Sequence, residues 1–444
     1  MNKKIILWSV VVALGGFLFG FDTAVISGAE LSIQQFWQLN VFEHGLTVSI
    51  ALIGTVIGAL FGGIPSENIG RKKTLFWIAI LYFVSALGSA LAPEWYSFLF
   101  FRFLGGLGVG ASSVAAPLYI AEISPAHSRG KLVALFQFNI VFGILIAYLS
   151  NYLIGGNMEN DWRWMLGIEA FPAIIFMFAV MNVPESPRWL IVKKGKVKEA
   201  RETLSVGNPG ADLDLLISDI QKSAQQTPGI KSAAFFSKQY SLPITLAILF
   251  AFFNQVSGIN AIIYYAPRIF EMAGLGKSSA LLSSAGIGLV NFSFTLLAMF
   301  YIDKFGRRTL MYIGSIGLIV TLALVSHAFY SEDPANFPIP IYLFVYIAFF
   351  AFSQGAVIWV FISEIFPNQV RSYGQSLGSF THWLMASIIA FTFPYITGKL
   401  GSGNTFLMFS IMMVFQLIFV WLMMPETKGT SLEQLEKKVV AGGV

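Results

Sequence analysis

The sequence predicts an all-α integral membrane protein of twelve transmembrane helices, arranged as two six-helix pseudo-repeats joined by a short cytoplasmic helical linker. Three observations carry this. Of 444 residues, 56% are hydrophobic and 11% charged, with mean hydropathy +0.71, whereas soluble chains run near a quarter charged. Apolar runs of about 20 residues, the length that crosses a ~30 Å hydrocarbon core, follow one another almost end to end. Short motifs of the first half then recur, in order, in the second.

The runs lie near 5–29, 45–64, 74–92, 96–120, 131–154, 164–183, 243–267, 279–302, 309–330, 338–364, 372–398 and 404–424. They lack the apolar-polar alternation of barrel strands, so helices are the remaining way to satisfy the backbone in lipid. The first run follows Lys3 and Lys4 as a signal peptide would. It is too long for one and lacks a small-residue cleavage site, so it reads as a retained helix. With both termini cytoplasmic, only Arg163, Arg268, Lys277 and Lys399 of the 28 Lys and Arg fall outside, and Arg102 falls within a helix. That bias orients the chain, and the net charge of +5 is then topogenic rather than a nucleic-acid footprint. There is no cysteine, hence neither a disulfide nor a thiolate metal site. No cofactor, metal or obligatory protein partner is expected.

One long polar stretch, 184–242, separates an N-terminal half (1–183) from a C-terminal half (243–424), with a cytoplasmic tail over 425–444. Val197, Ala200, Leu204 and Leu213, Leu216, Ile220 recur at helical spacing and predict short amphipathic helices. The halves repeat each other. EISPAHSR at 122–129 returns as EIFPNQVR at 364–371, PES at 184 as PET at 425, and GRKK at 70 as GRR at 306. Parallel halves of this kind are a transporter architecture, with substrate held near the midplane.

PESPRWL at 184–190, PETKG at 425–429, GRR at 306–308, RFLGGLGVG at 102–110, PLYIAEISP at 117–125, GFDTAVISG at 20–28 and NQVSGINAIIYYAP at 254–267 together resemble the sugar porter family of the major facilitator superfamily. That family includes bacterial xylose and hexose:proton symporters and mammalian facilitative glucose transporters. The resemblance spans essentially the whole chain. It implies the major facilitator fold and monosaccharide:proton symport by alternating access, with a hexose or pentose and a proton as partners; the compact chain with its short termini and loops points to the cell (plasma) membrane. A proton-independent uniporter is the alternative. A transporter-like sugar sensor is less favoured, since the chain stops about 20 residues after the twelfth run, leaving little room for an output tail. Two departures stand out. Gly355 and Ala356 stand where the family carries Gly-Pro in the tenth helix, which removes a kink device and predicts different gating there. Asn254 and Gln255 replace paired glutamines.

A sugar needs amides for its hydroxyls and aromatic rings for its apolar face. Intramembrane amides occur at Gln137 in the fifth run, Asn254, Gln255 and Asn260 in the seventh, and Asn291 in the eighth. An isolated one commonly glues helices together. At 100° per residue the seventh-run set cannot share one face of an unbroken helix, but Gly258 permits unwinding. The resemblance assigns these amides and Trp359 to the sugar, with Phe19, Tyr265, His382 and Trp383 as weaker candidates. Ile144 matches the mammalian glucose carriers and predicts a less polar pocket.

Asp22 in the first run and Arg102 in the fourth both lie roughly 10 Å below the outer surface at 1.5 Å per residue. An intramembrane acid costs about 2.5 to 3.5 kcal/mol and faces a partner or water, so these two are expected to pair. Withdrawal of Arg102 would let Asp22 take up a proton, the alternation a coupled cycle needs; a purely structural pair is the competing reading. Arg71, Glu122, Arg129, Arg307, Arg308, Glu364, Arg371 and Glu426 recur at cytoplasmic helix ends and predict an ion-pair latch. No nucleotide-binding GxxxxGK[ST] loop occurs, and nothing in the sequence looks catalytic.

Overall fold

The computed structural model describes residues 2–125, 128–156, 158, 160–225, 235–367 and 370–428. Residues 226–234 of the predicted linker and 429–444 of the predicted tail lie outside the described residues. Among the described residues all regular structure is helical. Ten helices are each long and apolar enough to cross a bilayer: α1 Lys3–Phe36, α2 Val41–Phe61, α3 Arg71–Leu91, α4 Trp95–Ile123, α5 Arg129–Ile154, α6 Asp161–Met181, α7 Lys238–Tyr264, α8 Lys277–Phe305, α9 Arg307–Tyr330 and α10 Ile339–Ile365. The helical run Arg371–Leu422 turns at Gly401, where φ is 81° and ψ 158°. It therefore supplies two crossings, α11 (371–400) and α12 (402–422). These are the twelve predicted spans, with one consequential difference. At about 1.5 Å per residue the 34 residues of α1 outrun the ~30 Å core, so Glu30, predicted to lie just past the helix, is within it.

The chain forms two compact units. One comprises the described residues of Met1–Thr23, Ile53–Ala147 and Arg163–Gly229, the other those of Ala24–Leu52, Tyr148–Trp162 and Ile230–Val444. In the first, the linker helices Val197–Gly207 and Leu213–Gln225 fold onto the PESPRWL segment. Trp189, Leu190, Ile191, Ala200, Leu204 and Ile217 form a small core edged by Val197, Leu213 and Ile220. Ile217, rather than the expected Leu216, is the buried residue of its turn.

Both GR motifs have one physical explanation. Gly70 and Gly306 adopt φ of 99° and 89°, a region open to glycine. A Cβ at either would meet a carboxylate oxygen, of Glu185 at 2.3 Å or of Glu426 at 2.7 Å. Their absence lets Glu185 accept from the Arg71 and Lys72 amides at 2.9 and 3.1 Å, and Glu426 from those of Arg307 and Arg308 at 3.0 Å each. A carboxylate thus satisfies the otherwise unpaired first N–H groups of α3 and α9.

α10 breaks without the family's proline. Ser353 sits at φ −116° and ψ −91° between two helical segments, and its hydroxyl donates to the Phe349 carbonyl at 2.6 Å. The missing proline does not leave α10 continuous: the interruption falls at Ser353.

Candidate functional site

Inner and outer below denote the helix ends as the Lys and Arg bias orients them. In the second unit, α7 is interrupted at Ser257 and Gly258, the latter at φ 86° and ψ 8°. Space as well as conformation demands glycine, since a Cβ there would lie 2.6 Å from the Phe409 ring. The interruption exposes backbone groups that must find partners in a dry environment. Tyr346 of α10 donates its hydroxyl to the Ser257 carbonyl at 2.9 Å, and the Ser257 hydroxyl donates to the Asn254 carbonyl at 2.7 Å.

The same interruption brings the three amides together. Asn260 donates to Gln255 Oε1 at 2.5 Å, Gln255 donates to Asn254 Oδ1 at 2.9 Å, and Asn254 donates to the Gln354 carbonyl, at the start of the second α10 segment, at 3.4 Å. Gln255 Nε2 also lies 3.1 and 3.2 Å from the two ring nitrogens of His382. His382 in turn packs between Trp359 and Trp383, with ring centroids 5.0 and 4.8 Å away. The result is an oriented row of amides beside a half-buried indole. Each amide fixes its neighbour's orientation, and Asn260 Oδ1 and part of Gln255 Oε1 remain able to accept from a ligand.

Not every candidate joins this row. Asn291 is buried on α8 without a hydrogen bond to it. Tyr265 is committed elsewhere: its hydroxyl donates to the Ala390 carbonyl at 2.8 Å and its ring packs on Phe393. Gln137 on α5 and Phe19 on α1 belong to the first unit. Gln137 is half-buried and Phe19 buried.

In the first unit Arg102 Nη1 donates to Asp22 Oδ1, and Nη2 to the Asp22 backbone carbonyl at 3.3 Å. Both side chains are at most 3% exposed. Sequence reading missed a third member. Glu169 on α6 is also buried, one of its carboxyl oxygens has no hydrogen-bond partner among the described residues, and it lies in the field of Asp22 and Arg102. Two buried acids thus share one guanidinium, which leaves one of them without a cation of its own. The signal was present, because an acid inside a predicted span is a functional candidate by default.

At the inner end Arg71 pairs with Glu122 at 2.9 Å and with Glu67 at 2.7 Å. Arg307 pairs with Glu364 and with Asp303, both at 2.8 Å. Ser186 and Thr427 donate to Glu122 and Glu364 at 2.5 and 2.6 Å. The expected network differs in membership. Among the described residues Arg129 is exposed and makes no ion pair, Arg371 bonds only the Phe366 carbonyl at 3.3 Å, and Arg308 bonds the Trp421 carbonyl at 2.7 Å. Arg129 and Arg371 begin their helices, and among the described residues neither pairs with the acid that precedes it in sequence.

The profile of a family described as sugar (and other) transporter matches residues 8–439. A D-xylose transporter of Levilactobacillus brevis is 40% identical over 430 residues, 96% of this chain and 93% of that one. The D-xylose-proton symporter of Escherichia coli (strain K12) is 36% identical over 468 residues, covering 96% and 94%. The solved structure of the xylose transporter XylE from E. coli, in a partially occluded inward-open conformation, aligns with a TM-score of 0.85 at 34% identity, over 97% of this chain and all of that one.

Proposed function

Since this chain belongs to the sugar (and other) transporter family of membrane transporters, we propose that it carries a monosaccharide into the cell in symport with a proton. The observation that carries the coupled reading is the buried trio of Asp22, Glu169 and Arg102. An uncoupled carrier needs no second buried acid beside such an ion pair inside the membrane. The α7 amides with Trp359, and Gln137 and Asn291, bind the sugar, and relatives named for D-xylose make that pentose the first to try. The working location is the plasma membrane, with both termini cytoplasmic. The cycle is alternating access, in which Arg102 releases Asp22 as the site changes sides.

The test is uptake of radiolabelled D-xylose into vesicles carrying an imposed proton gradient. One proton per sugar at about 100 mV supplies ~2.3 kcal/mol, enough for roughly fifty-fold accumulation. Accumulation that a protonophore collapses is expected. Uptake that only equalises the two sides would establish uniport, and binding without filling would establish a sensor.

A further inference from the structure

The outer end of the second unit holds a cluster that the sugar site and the proton trio do not use. Glu30 and Gln34 stand on α1, His44 in the first turn of α2, and Arg268 on the helix Ala266–Met272 that follows α7. Glu30 and His44 side chains are fully buried. His44 Nε2 lies 2.5 Å from Glu30 Oε2. Arg268 Nη1 reaches Glu30 Oε2 at 3.5 Å, Gln34 Oε1 at 3.3 Å and His44 Nδ1 at 3.3 Å. Among the described residues Glu30 Oε1 has no hydrogen-bond partner, and His44 and Arg268 supply this carboxylate's side-chain hydrogen bonds.

Arginine has donors and no acceptor. His44 Nδ1 must therefore accept from Arg268, which places the imidazole proton on Nε2, donated to Glu30. We infer that His44 is a proton-binding site that controls closure of the outer end, holding Arg268 against α1 and α2 when neutral and expelling it when protonated. A proton added at Nδ1 sets N–H against N–H and cation against cation. His44 and Glu30 stay together as an ion pair within α1 and α2, while the tie to the α7 extension is lost. Proton uptake at His44 thus unlatches this end and proton loss closes it.

The other groups around His44 are accounted for. The Tyr265 ring meets the imidazole edge-on at 5.9 Å, and its hydroxyl is engaged by Ala390. α11 brings Phe391 against Gly45. Glu271 feels Glu30, Lys277 and Arg268; burial first, and Glu30's charge after it, hold its carboxyl above the usual range. Lys277 pairs with Asp161 at 3.1 Å. Glu271 is thus the rival sensor. Protonating it removes a negative charge without creating the clash at Nδ1.

Hydrogen exchange read by mass spectrometry on the full chain decides. Rates in peptides covering 30–45 and 262–273, corrected for intrinsic pH dependence, are compared at about pH 8 and about pH 5, with 66–73 as reference. Acid should speed outer exchange roughly tenfold or more, the size of one lost hydrogen bond to a charged group. His44→Gln keeps a donor and an acceptor but does not titrate, and should stay protected at both pH values. Glu271→Gln should keep the response. Arg268→Gln, a change at a quarter-exposed side chain, should exchange fast at both. A wild type indifferent to acid, a His44→Gln protein that still responds, or an Arg268→Gln protein closed at pH 8 would each overturn the inference. The readout is independent of sugar transport, so its failure leaves the proposed function standing.

Discussion

At the inner end of the first repeat Arg71 binds Glu122, its i−4 neighbour Glu67 and the Ser66 carbonyl, while Glu185 caps the helix that Arg71 begins and Ser186 donates to Glu122. At the inner end of the second, Arg307 binds Glu364, its i−4 neighbour Asp303 and the Ile302 carbonyl, while Glu426 caps and Thr427 donates to Glu364. The two are the same device bond for bond. The middles of the repeats are not. The offset that carries Glu122 to Glu364 carries Arg102 to Phe344, so the cation that holds Asp22 has no counterpart. Conversely, the row of amides around the α7 break has no counterpart in α1, which runs unbroken from Lys3 to Phe36. Both halves share what starts their helices and holds their inner ends, whereas the buried acid-arginine pair lies in the first half and the row of three amides in the second.

The sharpest way to break that division is Asp22→Asn. If coupling resides only in the first repeat, the variant should lose the whole roughly fifty-fold accumulation while still exchanging labelled for unlabelled sugar across the vesicle membrane. Asparagine still accepts from Arg102 but cannot shuttle a proton. Persistent accumulation would move the coupling group elsewhere, with Glu169 next in line.

Second in size is the amide row. Gln255→Ala removes the acceptor of Asn260 and the donor to Asn254 together, and Asn260→Ala removes one end of the row. Each should weaken sugar binding by about 1 to 3 kcal/mol, the cost of leaving buried polar groups unpaired, as measured by equilibrium binding of labelled sugar. Among the described residues Gln137, in the first repeat, makes no hydrogen bond that Gln137→Ala would remove. That variant should weaken binding with no change in thermal stability, whereas Gln255→Ala should lower both. Equal stability loss in the two would mean that the amides are helix glue in both halves.

What the sequence made legible follows the same line. Repetition and period made the spans, the GR and PES motifs and the acid-arginine pairs readable, because each depends on short-range spacing or recurs twice. The gathering of Asn254, Gln255 and Asn260 was readable only through Gly258, whose freedom signalled the break. Ser353 was not readable, since serine carries no obligatory backbone signal and the break there depends on tertiary partners. Glu169 was overlooked although its acid stood inside a predicted span. Glu30 and His44 were hidden by boundary error: runs drawn at 5–29 and 45–64 left each one residue outside. Arg129 and Arg371 were over-read from their pairing in sequence with Glu122 and Glu364.

The smallest expected effect tests the likeness of the two inner ends. Glu122 and Glu364 side chains are 7% and 22% exposed, against 48% and 81% for Glu67 and Asp303. Water screens the last two strongly, so Glu67→Gln and Asp303→Asn should each change the balance of states by about twofold or less, as for an exposed i,i+4 pair of about 0.3 to 0.5 kcal/mol. Glu122→Gln and Glu364→Gln keep an oxygen for Ser186 or Thr427 and lose only the charge facing arginine. Each should shift the resting population toward inward-facing by about fivefold, near 1 kcal/mol, without altering sugar affinity. A chain with no cysteine lets one introduced thiol report this by labelling from either side. If the two repeats do the same work, the two shifts agree in sign and size. A shift from Glu364→Gln alone would mean that the first repeat keeps the arrangement for helix capping while only the second uses it as a latch.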